Sequence, residues 1–128
     1  MVDRDTGRAL AAVFAGGLVG SALRAGIGMW VPAERGAFPT AVLVVNIVGS
    51  LLLGLYLARR ERSVGPRWAL QFWAIGILGS FTTFSAFSLD VFYLLEEGRP
   101  LIAIGYVTAS IAGGLAAALI GQRAGRLG

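Results

Sequence analysis

Four long apolar stretches separated by short polar ones set the pattern of this chain. A helix that crosses a membrane needs about 20 predominantly apolar residues. The first stretch runs from Ala9 to Val31 and is interrupted only by Arg24. The second carries no charge from Gly36 to Ala58. The third is uncharged from Trp68 to Leu89, and its pattern continues past Asp90 to Leu95. The fourth is uncharged from Pro100 to Gln122. Between them lie brief linkers, Pro32–Ala37, Arg59–Arg67 and Glu96–Arg99. The pattern predicts an all-α membrane protein, one unit over 1–128, with spans near 9–31, 38–58, 68–95 and 100–122. The first stretch does not read as a removable signal peptide, because equally apolar spans follow it.

Small residues punctuate the spans. Most of the 19 glycines lie inside them. Gly16 and Gly20 form a GxxxG pair continued by Gly17 and Ser21, and Ser110, Gly114 and Ala118 recur at helical spacing in span four. In lipid no hydrophobic drive joins helices, so close backbone approach through small residues holds bundles together. Four short helices make a thin bundle, and oligomerisation is expected. Span three differs from the rest, with two glycines and five hydroxyl residues between Gly76 and Ser88. It also exceeds the length of a perpendicular crossing. Tilt absorbs such an excess. A local break absorbs it too, with Thr82, Thr83 or Ser85 capping the second half-helix. The pattern alone leaves both open. Irregular backbone at membrane depth survives only where it is buried in protein or lines a cavity.

Composition agrees with a membrane protein: 56% of residues are hydrophobic and 14% charged, with a mean hydropathy of +0.75. Soluble domains carry about 25% charged residues. Cys and His are absent, which removes thiol chemistry, the commonest general base and the commonest metal ligand. The formal net charge of +4 rests on 11 basic residues, all of them Arg. They sit mostly at span ends, the positions that set topology and anchor headgroups. No aromatic-interleaved basic stripe accompanies them, so nucleic acid is not an expected partner. Of the seven acids, only Asp90 approaches a span interior, and no carboxylate pair or nucleophile–base couple can be assembled. An enzyme is not expected. Proton-coupled transport lacks the mid-span carboxylate it ordinarily relays through.

What remains inside the spans is neutral and polar. Asn46 and Ser50 share a helix face, as do Tyr106 and Ser110. Their N–H and O–H groups are donors without fixed charge, a set that suits a small anion which must also leave. Phe84 and Phe87 lie three apart among hydroxyls, and an aromatic ring has a positive edge that can face an anion. For a lone Ser or Thr, interhelical bonding is the competing reading, and for the phenylalanines ordinary packing is.

Three motifs then carry a resemblance. They are Gly16-Gly17 through Gly20 to Arg24; Phe38-Pro39 followed by Val45-Asn46 and Gly49-Ser50; and Gly79 through Thr82-Thr83-Phe84-Ser85 to Phe87-Ser88. In this order, over essentially the whole length, the chain resembles the CrcB/Fluc family of fluoride channels. The resemblance implies passive fluoride export through an antiparallel, dual-topology homodimer with two pores at the subunit interface. It implies a third helix broken near mid-membrane, in a multi-pass protein of the cell inner (plasma) membrane, with the lipid bilayer as surroundings. The fluoride pathway it implies comprises Asn46, Phe84, Phe87, Thr83, Ser85, Tyr106, Ser110 and Arg24, the last near a vestibule. Backbone carbonyls of Gly79 and Thr82 are expected to hold a structural Na+ at the dimer interface.

The chain departs from the family pattern at Ala41, Val42, Ala86 and Gly114, where Gly and hydroxyl residues are usual. The arginines are also lopsided. Arg4, Arg8, Arg59, Arg60, Arg62, Arg67, Arg123 and Arg126 fall on one predicted side, against Arg35 and Arg99 opposite, with Arg24 near that end. Such a bias favours one insertion, termini in the cytoplasm. A heterodimer with an oppositely biased paralogue therefore stands beside the homodimer. The rival functions are a non-conducting or lipid-binding subunit and a small proton-coupled drug exporter.

Overall fold

The computed structural model of the protein describes residues 3–31, 35–63 and 65–127. Residues 32–34 of the first predicted linker and Val64 of the second lie outside the described residues. Helix α1 is Arg4–Trp30 and α2 is Thr40–Glu61. The third crossing is composite. It comprises α3 (Arg67–Leu70), a π-helical stretch Gln71–Leu78, α4 (Gly79–Phe81) and α5 (Phe84–Glu96). Helix α6 is Pro100–Leu127. Among the described residues there is no strand. Four crossings, Arg4–Trp30, Thr40–Glu61, Arg67–Glu96 and Pro100–Leu127, are long and apolar enough to span a membrane.

Three of these helices overrun the predicted spans. α1 begins at Arg4 rather than Ala9, α2 continues to Glu61 rather than stopping at Ala58, and α6 continues to Leu127 rather than stopping at Gln122. Hydropathy marks the part of a helix immersed in lipid. Backbone hydrogen bonds within the segment carry the helix on into the polar layer.

Backbone contact, rather than side-chain interdigitation, joins the helices in two pairs. α1 lies on the first half of the third crossing, where a Cβ at Gly16 would collide with the Phe72 carbonyl and one at Gly20 with the Ile77 carbonyl. α2 runs along α6, with Gly54 against the Ala118 carbonyl and Gly121 against the Leu51 carbonyl. This is the close approach that small residues permit in lipid. The remaining contact is aromatic and aliphatic: Leu94, Ala103 and Tyr106 are buried, with Leu43, Phe87, Val91 and Ile102 packed around them. Large apolar side chains elsewhere, such as Leu10, Phe14, Trp30, Ile104 and Leu115, face outward, where lipid solvates them.

The end that carries the first and third linkers is tied by Arg99, whose guanidinium donates to the Gly36 carbonyl at 2.9 Å. Gly98 adopts φ +67° after α5, a left-handed conformation that closes a helix end, and Pro100 opens α6 where its missing N–H costs nothing. Arg35 covers the Tyr93 ring at 4.6 Å.

Candidate functional site

Helical backbone stops after Phe81 and resumes at Phe84. Thr82 (φ −74°, ψ 155°) and Thr83 (φ −147°, ψ 122°) are extended. The two threonines explain why. The Thr82 hydroxyl donates to the Leu78 carbonyl at 2.9 Å, which also receives the Thr82 N–H at 3.0 Å. Thr83 Oγ1 accepts the Ala86 N–H at 3.1 Å and caps α5. Hydroxyls placed so offer the backbone an alternative to continuing the helix.

Two neighbouring helices reach into this segment. Asn46 of α2 brackets Thr83: its Oδ1 accepts the Thr83 N–H at 2.8 Å and its Nδ2 donates to the Thr83 carbonyl at 3.0 Å. Arg24 of α1 donates through Nε to the Ser80 carbonyl at 3.1 Å. A Cβ at Gly49 would collide with Thr82 Cγ2, so α2 can approach only because Gly stands there.

Carbonyls are left over. In an unbroken helix the Gly79 carbonyl takes the N–H of Thr83 and the Thr82 carbonyl takes that of Ala86. Both donors are spent on side-chain oxygens, those of Asn46 and Thr83. The Ser80 carbonyl is taken up by Arg24. Gly79 and Thr82 thus present backbone oxygens without their helical donors, the donor type that suits a hard cation. Among the described residues no cluster of three acidic, His or Cys side chains offers a different metal site.

An open-sided groove of about 380 Å³ gathers seven of the predicted residues: Asn46, Gly79, Thr82, Thr83, Phe84, Phe87 and Ser110. Phe84 is 80% exposed. Phe87 lies between Phe84 and Tyr106, with ring centroids 5.7 and 5.3 Å away. The Ser110 hydroxyl is buried and has no hydrogen-bond partner among the described residues. Gly49, Ser50 and Leu53 complete the α2 wall. Spacing from Asn46 by three, four and seven residues is the signal that places them on its face. Ala74 and Leu78, also in the lining, carry no such signal.

Three predicted residues lie elsewhere. Tyr106 is fully buried at 0% exposure, with its hydroxyl donating to Asp90 Oδ2 at 3.2 Å and its ring edge-on to Phe38. It backs Phe87 from the core and does not line the groove, and the Asp90 partnership had no signature in the spacing. Ser85 is exposed, 3.2 Å from Thr83 Oγ1. Arg24 lines a separate pocket of about 230 Å³ with Ala41, Val42, Thr83 and Ala86 among its walls. Three of the four departures from the family pattern therefore surround one arginine. The fourth, Gly114, faces the Ser50 hydroxyl.

Residues 11–122 match the family described as CrcB-like protein, Camphor Resistance (CrcB). The chain belongs to the CrcB family. It is a multi-pass membrane protein. Among CrcB relatives, the fluoride-specific ion channel FluC of Pseudomonas fluorescens Pf-5 is 46% identical over 115 residues, covering 86% of this chain and 90% of the relative. FluC of Erythrobacter litoralis is 40% identical over 120 residues, 88% of each chain. The protein named fluoride-specific ion channel FluC 2 of Symbiobacterium thermophilum is 42% identical over 118 residues, 89% of this chain and 94% of its own. The CrcB match spans every residue lining the groove and the Arg24 pocket.

Proposed function

We propose that this chain is the subunit of a passive, fluoride-selective channel in the inner membrane, a pore and not an enzyme. The observation that carries the reading is the Phe84–Phe87 pair beside Asn46 and the unpartnered Ser110 hydroxyl, in a groove without a fixed charge. Neutral donors and ring edges replace part of the water around a small anion and still let it go. Hydrogen fluoride is a weak acid that enters neutral and dissociates inside. A negative-inside potential then drives the trapped anion out, by about 2.3 kcal/mol per 100 mV. Named relatives at 40–46% identity act on fluoride, which supports the same ion here.

The unit of function is an antiparallel dimer, because a groove open on one side with an exposed Phe84 needs a second wall. The break lies near mid-membrane. Sodium, held by the carbonyls of Gly79 and Thr82, is structural: it supplies the positive charge those oxygens lack a donor for. Replacing sodium with a large organic cation lowers dimer stability, while reversing the sodium gradient leaves flux direction unchanged. A paired paralogue is the second reading, favoured by the arginine bias between the two ends. Fluoride efflux from liposomes containing this chain alone, with chloride as the control, tests the main reading. Selective efflux establishes it. No efflux from the folded protein overturns it in favour of a partner-dependent or non-conducting subunit.

A further inference from the structure

At the end of the molecule that carries the second linker and both termini, four of the eight arginines are already engaged. Arg60 donates to the carbonyls of Gly65 and Pro66 at 2.9 and 3.1 Å, fixing the linker. Arg126 lies 3.9 Å from Glu61, and Arg8 lies 3.9 Å from Asp5. Arg62 spends one N–H on the Arg126 carbonyl, and a guanidinium has five. The Arg59 guanidinium has no hydrogen bond or ion pair with any described residue.

Arg59 and Arg62 line a cleft of about 410 Å³ with Ser63 and Gly125. Its floor is shut by helix contact, since a Cβ at Gly125 would lie 2.7 Å from the Ala58 Cβ and the Leu55 carbonyl. The carbonyl ends of α2 and α6 meet here and by themselves repel anions. Two guanidinium groups reverse that sign, and no carboxylate lines the cleft to accept a headgroup ammonium. The uncharged stretch of α2 ends at Ala58, one residue before Arg59, so the cleft opens at headgroup depth. The anion abundant at that depth is lipid phosphate, whose oxygens match the guanidinium fork.

We propose that the cleft of Arg59, Arg62 and Ser63 is a binding site for the phosphate of an anionic phospholipid. The Ser63 hydroxyl donates to the Arg59 carbonyl, so it offers its lone pairs outward, to a hydroxyl such as that of a phosphatidylglycerol headgroup. The site is independent of the fluoride reading and of which subunit completes the groove.

Native mass spectrometry of the intact protein in detergent, with phosphatidylglycerol and phosphatidylcholine in competition, tests it. Phosphatidylglycerol is retained preferentially. Arg59→Gln with Arg62→Gln weakens that retention about 25-fold, one factor of about five for each arginine. Ser63→Glu abolishes the preference while leaving helix packing intact, and it decides between the outcomes if the double variant does not fold. Arg4→Gln with Arg8→Gln leaves the preference in place. Equal retention of the two lipids, or equal loss in the Arg4/Arg8 control, overturns the proposal. Displacement by millimolar inorganic phosphate as complete as by phosphatidylglycerol also overturns it, in favour of a free-anion site.

Discussion

The groove beside Phe84 and Phe87 and the pocket beside Arg24 share Thr83 as a wall, yet their linings differ in charge. The pocket holds a guanidinium among aliphatic side chains, Ala41, Val42, Val45 and Ala86. The groove holds amide and hydroxyl groups and aromatic rings, with no ionised side chain in its lining. A fixed charge at depth attracts an anion strongly and also retains it, whereas conduction requires binding weak enough to release. On the proposed fluoride reading, the pocket would draw anions toward the break and brace it, and the groove would pass them. Replacement of family hydroxyls at Val42 and Ala86 falls on the pocket side, while both phenylalanines and Asn46 remain on the groove side.

The largest effect that would break this division belongs to Phe84→Ala. Fluoride efflux should fall to the level of empty liposomes. Because the ring is 80% exposed, the subunit should lose less than about 1 kcal/mol of stability. Phe87→Ala stops flux equally but also removes packing against Tyr106, at a cost of about 2–3 kcal/mol. Wild-type flux through a folded Phe84→Ala protein would reduce the groove to a packing seam.

Asn46→Asp comes next. It turns a carboxylate toward the Thr83 carbonyl and removes the donor that meets it, costing about 1–3 kcal/mol of stability. Flux at neutral pH should drop roughly tenfold or more, the factor that about 1.4 kcal/mol of added barrier produces. Unchanged flux with unchanged thermal stability would remove Asn46 from both roles.

The smallest effect is expected at Arg24. Arg24→Gln should slow flux several-fold and flatten its dependence on ionic strength, since a recruiting charge is screened by salt. Loss of its bond to the Ser80 carbonyl should cost about 1 kcal/mol in a melting experiment. Flux that keeps its full salt dependence in this variant would separate Arg24 from recruitment and leave it a brace alone.

Hydropathy made the four crossings legible, because immersion in lipid demands an unbroken apolar stretch and little else in a short chain produces one. It could not place helix ends. Arg4 and Leu127 lie beyond the apolar stretches, where hydropathy is silent and helical hydrogen bonding continues. The hydroxyl run drew attention to Thr82 and Thr83, but tilt and interruption have the same composition. The distinction depends on where two N–H groups go. Asn46 read as an anion donor because only its residue type and depth were visible, while its partners lie 37 residues away in sequence. Tyr106 shares a face with Ser110, yet burial turns its hydroxyl to Asp90. A helical repeat fixes which side chains share a face, not which of them the neighbouring helix covers.

Counting hydrogens on Asn46 gives the double bond to Thr83 a further meaning. A primary amide carries two N–H hydrogens, and one of them points at the Thr83 carbonyl. One is left, in a direction that the bracket holds rigid. The Ser110 hydroxyl contributes one more. The Ser50 hydroxyl, on the same wall as Asn46, adds a third. On the proposed fluoride reading, one subunit therefore offers an ion three directed hydrogens and the rims of two rings, well short of the shell of water it leaves. The rest has to come from the facing wall, so the valence of this groove is that of half a site.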